Sequence, residues 1–193
     1  MPLDVAAIQR TLQADGLDGW LLYDFHGSNP IAGGLAGLTT GVHMTTRRWY
    51  YLIPASGAPR GLVHAIERQN LDRLPGEKTI YAGREQLEQG LASLLSGMRR
   101  VAMEYSPQCA IPYLSRLDAG TAESVRARGV EIVSSGDLVQ RFAARERRQN
   151  GAPARRVVGR SADLAAVQNR EDQTRLRRGD PRAAADRIDR HGH

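Results

Sequence analysis

The amino-acid pattern of the chain breaks after Arg145. The 48 residues that follow contain no aromatic residue and only six of Val, Leu and Ile, too few to assemble a packed core. Any core must therefore come from residues 1–145, and residues 146–193 are expected to be a disordered, Arg-rich tail with at most a loose helix over 161–176. The same break divides the charge. The net +6 of the 193 residues splits into 15 basic against 14 acidic side chains before residue 146 and 12 against 7 after it. The basic character belongs to the tail, and with Lys78 the single lysine among 27 basic residues it points to a GC-rich gene rather than to a phosphate-binding surface. Seven interspersed acids and no aromatic residue for base stacking make nucleic-acid binding by the tail a weak alternative.

No apolar run approaches the ~18 residues of a membrane span, and Met1-Pro2-Leu3-Asp4 opens no signal-peptide pattern. Cys109 is the single cysteine, which excludes an internal disulfide and a Cys-cluster zinc site. A reducing cytoplasm is the expected location.

Within residues 1–145 the signals alternate. Val5, Ile8 and Leu12 fall at helical spacing over 3–14, with Gly16 as a stop. The run 19–23 reads as a buried strand, 24–30 as a turn, and Pro30 as the first turn of a helix over 31–38. Residues 47–53 and 61–64 form a hairpin around a Pro- and Gly-rich loop. A short helix over 66–74, a strand over 78–81, a helix over 86–95, a strand over 100–103, a helix over 118–128 and a strand over 130–133 follow. Ser135 is placed to cap a last helix over 136–145. The succession predicts an α/β fold: a mixed β-sheet flanked by helices.

Particular segments carry a family resemblance. Trp20-Leu21-Leu22-Tyr23-Asp24-Phe25-His26-Gly27-Ser28-Asn29-Pro30 and Thr46-Arg47-Arg48-Trp49-Tyr50-Tyr51-Leu52-Ile53-Pro54 are followed by Ala102-Met103-Glu104-Tyr105-Ser106-Pro107, Ile111-Pro112-Tyr113, Asp118-Ala119-Gly120 and Val133-Ser134-Ser135-Gly136-Asp137-Leu138-Val139-Gln140. Together they resemble the N-terminal domain of creatinase, aminopeptidase P and prolidase-type Xaa-Pro peptidases over residues 1–145. The resemblance implies a mixed sheet flanked by helices, a role in shaping the substrate entrance, and dimer contacts. In that family a following pita-bread domain binds two divalent metal ions through two Asp, one His and two Glu and generates the attacking hydroxide. Residues 146–193 match none of its ligand segments, so no cofactor or metal is assigned to this chain. The expectation is a non-catalytic domain of a truncated peptidase, its catalytic half replaced through a frameshift. The other reading is a stand-alone domain that binds a partner, either a second copy or an intact paralogue. Translating the locus past codon 146 in the other frames distinguishes the two. Proline-containing peptides would be substrates of the parent enzyme, not of this chain.

The substrate-entrance candidates are His26, Asn29, Arg47, Arg48 and Trp49. His26 and Asp24 sit in a loop after a strand, where functional groups gather, although turn chemistry alone accounts for Asp24 and Ser28 and leaves His26 solvated. Arg47 and Arg48 could grip a carboxylate bidentately or guard a strand edge. Trp20, Trp49, Tyr50 and Tyr51 could wall a proline pocket, but their alternation favours core packing. Glu104 is expected to face water and Cys109 to be a buried, inert thiol. His43 and His64 are isolated, and His191-Gly192-His193 reads as a chance terminal pair. Dinucleotide, P-loop and nucleophile-elbow glycine motifs are missing, and no catalytic residue is assigned.

Overall fold

A computed structural model describes residues 3–38 and 45–143. The expectations for His43, the Arg-rich tail and the terminal histidines fall outside these residues, as does the boundary at 145/146. The elements run α1 (Val5–Ala14), β1 (Gly19–Asp24), α2 (Pro30–Leu35), β2 (Trp49–Pro54), β3 (Arg60–His64), β4 (Glu77–Tyr81), α3 (Arg84–Leu94), β5 (Arg100–Met103), α4 (Ala119–Arg126), β6 (Glu131–Ser134) and α5 (Gly136–Leu138). The strands form one mixed sheet in the order β4-β3-β2-β1-β5-β6. β2 is antiparallel to both neighbours, while the β1/β5, β5/β6 and β3/β4 pairs are parallel. Five strands therefore run one way and β2 runs against them.

All six residues of β1 and of β2 are buried, as expected of central strands covered on both faces. Alternation sends their side chains to opposite sides. Leu21, Tyr23, Tyr50 and Leu52 join Leu91 and Leu94 of α3 and Ala122 and Val125 of α4. Trp20, Leu22, Trp49, Tyr51 and Ile53 join Ile8 and Leu12 of α1, Leu35 of α2 and Leu138. The aromatic residues of these strands are core, and the sheet is the middle of three layers.

Local chemistry sets the helix starts. Asp4 caps α1 at the Ala7 N–H, Asn29 caps α2 at Ala32 with Pro30 at its first position, and Asp118 caps α4 at Thr121. One expectation fails: the helix over 66–74 is a single 3-10 turn at Ala65–Glu67. The helix expected over 136–145 is present through residue 143, where the described residues end, as α5 followed by a π-helical turn at Val139–Ala143. Ser135 occupies the cap position without capping, because its hydroxyl donates to Glu104 instead, at 3.1 Å. No described helix is long and apolar enough to cross a membrane.

Candidate functional site

Because β2 opposes its neighbours, its N-terminal end meets the C-terminal ends of β1, β3 and β5 at one edge of the sheet. Buried carboxylates fix the backbone there. Asp24, 2% exposed, accepts from the Gly27 and Asn29 N–H groups at 3.0 and 2.7 Å and from the Thr45 hydroxyl at 3.2 Å. This is the turn role expected of it. Glu67, also buried, accepts from the Thr46 N–H and hydroxyl at 2.7 and 2.6 Å, the Arg47 N–H at 3.3 Å and the Asn70 amide at 3.2 Å. It sets the chain entering β2.

Glu104 corrects the expectation that it faces water. It is 1% exposed and accepts from Trp20 Nε1 at 2.8 Å, Asn29 Nδ2 at 2.8 Å and the Ser135 hydroxyl. These donors come from three separate parts of the sheet edge. Burial pushes its carboxyl above the ordinary range, and the three donors oppose that shift without reversing it.

The five entrance candidates divide. Asn29 is buried, and its amide is spent on α2, on the Tyr23 carbonyl at 2.8 Å and on Glu104. Trp49 is buried in the core with its indole N–H unpartnered among the described residues. His26, Arg47 and Arg48 are exposed. His26 adopts φ +59°, which tightens the turn and turns its side chain out beside Phe25, the rings 5.9 Å apart. The Arg48 guanidinium sits 5.6 Å from the centre of the Phe25 ring, within cation–π reach. Among the described residues no carboxylate forms an ion pair with Arg47 or Arg48. These side chains form a cationic, aromatic lip.

Beneath the lip, a groove of about 610 Å³ runs between α3 and α4. Tyr50 and Tyr81 lie along it, and burial pushes the Tyr81 phenol up to about 12 and the Tyr50 phenol higher. Both stay neutral. Asp118, on the α4 side, accepts from the Tyr23 hydroxyl and from the Thr121 N–H and hydroxyl, each at 2.8 Å. Burial would raise its carboxyl, but these donors outweigh burial and hold it below the ordinary range. His64 donates from Nε2 to the Ala82 carbonyl at 3.2 Å and accepts the Ile66 N–H at Nδ1, so neither ring nitrogen is open to a ligand.

Among the described residues no three His, Cys, Asp or Glu side chains come together to hold a metal ion. The buried carboxylates do not fit a two-metal centre, since each is already ringed by N–H and O–H donors. Cys109 is exposed, correcting the expectation of a buried thiol, because its loop bulges outward through positive φ at Gln108 and Cys109. Glu67 and Glu104 were missed as organisers because their partners are distant in sequence. The signal available was the types of residue alone.

No protein-family model matches the chain, and no curated protein matches it. Solved structures do. The chain is similar to a proline dipeptidase from Streptococcus pneumoniae (18% identity, TM-score 0.55, 73% of this chain and 96% of that one). It is equally similar to the creatinase/prolidase N-terminal domain of an X-Pro dipeptidase from Streptococcus pyogenes (14%, 0.55, 74% and 100%). Against a longer dipeptidase from Pyrococcus horikoshii (18%, 0.50, 72% of this chain) it spans 36% of that protein. The described domain has the creatinase/prolidase N-terminal fold.

Proposed function

We propose that the domain is a non-catalytic accessory to an Xaa-Pro peptidase centre carried by other residues, and that its lip contributes to the substrate entrance. The observation that carries this reading is the division of labour at the sheet edge. The buried carboxylates Asp24, Glu67 and Glu104 are committed to backbone and side-chain donors within the domain, whereas Phe25, His26, Arg47 and Arg48 are held outward on that scaffold. Such an edge suits recognition of a peptide carboxylate by a guanidinium and offers no poised nucleophile or paired general acid and base. The fold shared with N-terminal domains of proline dipeptidases supports it. A second copy of the chain or an intact paralogue is the partner this reading implies.

The test is an assay of the full chain, loaded with Mn²⁺ or Co²⁺, on Xaa-Pro dipeptides. No proline is expected to be released. Release that stops on chelation would refute the proposal. Mixing the chain with an intact peptidase of this fold, followed by sedimentation, should yield a mixed species.

A further inference from the structure

We propose that the outer edge of β4 pairs, antiparallel, with β4 of a second copy of this chain, with Thr79 on the two-fold axis. β4 ends the sheet, with β3 on one side and no described strand on the other. It pairs with β3 residue for residue from Glu77 to Tyr81, without a bulge. The Glu77 N–H donates to the Pro59 carbonyl at 3.3 Å, so Glu77, Thr79 and Tyr81 direct their backbone groups to β3. Alternation turns the N–H and C=O groups of Lys78 and Ile80 outward along the edge. A strand edge in this state is a template for a further strand. The usual defences are missing or used up. Residues 76–82 hold no proline, and the one lysine is drawn back onto its own chain, where Lys78 Nζ pairs with Asp72 and donates to the Arg68 carbonyl at 2.8 Å. Ile80, on the same side of the strand, is 49% exposed. On the other side, where α3 packs, Glu77 and Thr79 are exposed, so the helix leaves the edge open.

Charge and the outward groups together select the register. Centred on Lys78, the pairing would set two lysines directly opposite each other, which is unfavourable. Centred on Ile80, it would place Lys78 against Ala82, whose N–H is taken by Gln86 and whose carbonyl is taken by His64. Centred on Thr79, Lys78 and Ile80 of the two copies meet as two hydrogen-bonded pairs, and every outward N–H and C=O finds a partner. Each exposed Ile80 then stands opposite the aliphatic stem of a Lys78 rather than water. The two Thr79 side chains meet across the axis, a favourable cross-strand pair. The strand is its own complement, and the occupant of the edge is therefore a second copy rather than a foreign strand.

Sedimentation of the full chain over about a hundredfold range of concentration should show a reversible monomer–dimer equilibrium. Ile80→Pro removes an outward N–H while leaving the β3 hydrogen bonds of Thr79 and Tyr81 in place, and it should weaken association at least about tenfold. Circular dichroism and thermal unfolding show whether this variant folds. Cross-linking gives a second reading that does not need it. In a Cys109→Ser background, Thr79→Cys sets two thiols directly across the axis at a Cα separation of about 4.5 Å, within disulfide reach. Oxidised glutathione should link this variant into a dimer at least about tenfold faster than Glu77→Cys, which is exposed on the same side of the strand but stands opposite Tyr81 of the second copy. A monomer at every concentration would overturn the inference, including one whose Lys78 and Ile80 amides resist hydrogen exchange because another part of the chain covers the edge. A dimer that Ile80→Pro leaves intact, or equal cross-linking of the two cysteine variants, would overturn it too. None of these outcomes bears on proline release, which tests the accessory role separately.

Discussion

Glu104 shows how much a single side chain can hold together. Removing it in Glu104→Ala leaves the Trp20, Asn29 and Ser135 donors buried without an acceptor. An expected loss of about 3 kcal/mol or more follows, measured by urea unfolding. Its pH signature has a definite sign. Burial raises its folded-state pKa above the unfolded value, so the folded form holds the proton more tightly. The stability it adds is full below the unfolded value and is lost as pH rises through the folded one. Asp118 behaves oppositely. Its pKa is depressed, so its contribution is present above the unfolded value and is lost as pH falls through the folded one. Unfolding midpoints measured against pH should show Glu104→Gln removing the decline on the rising side and Asp118→Asn flattening the acid side, the latter at a cost below about 1 kcal/mol because Asn also caps helices. Identical pH profiles for Glu104→Gln and wild type would contradict this account.

At the scale of elements, what was legible in sequence depended on how local its cause was. Arg100–Met103 reads as a strand from its own residues and is β5. The hairpin of β2 and β3 is legible because aromatic and β-branched runs flank a Pro- and Gly-rich loop. The last helix starts without its serine cap because Ser135 answers a buried carboxylate 31 residues earlier, a demand no local pattern reveals. The site divides the same way: exposed Arg47 and Arg48 precede an obvious strand, whereas the burial of Asn29 follows from partners on β1 and at Glu104. The turn before β4 gives an element-scale prediction. Gly76 has φ +100°, and a Cβ there would lie 2.0 Å from the Pro59 carbonyl oxygen, backbone that cannot yield as a side chain does. Gly76→Ala should destabilise the domain by about 2 kcal/mol or more through strain and loss of the β3/β4 pairing. Thermal unfolding measures it, and a midpoint unchanged from wild type would show that the turn relaxes freely.

For the whole molecule, the reversed direction of β2 has a kinetic consequence. β1, β2 and β3 are joined antiparallel in chain order, so their pairing closes modest loops. β5 reaches β1 only across β2, β3, β4 and α3, and β6, separated from β5 by a stretch much like that between β1 and β2, joins the sheet only through β5. Loop-closure entropy favours the earlier, shorter closures. In pulse-labelling hydrogen exchange during refolding, amides of β1–β3 should gain protection before those of β5 and β6. Earlier protection of β5 and β6 would reverse the order. A nucleus made of β1–β3 already contains both roots of the lip, the end of β1 and the start of β2, so the lip takes shape while half the sheet is still unassembled.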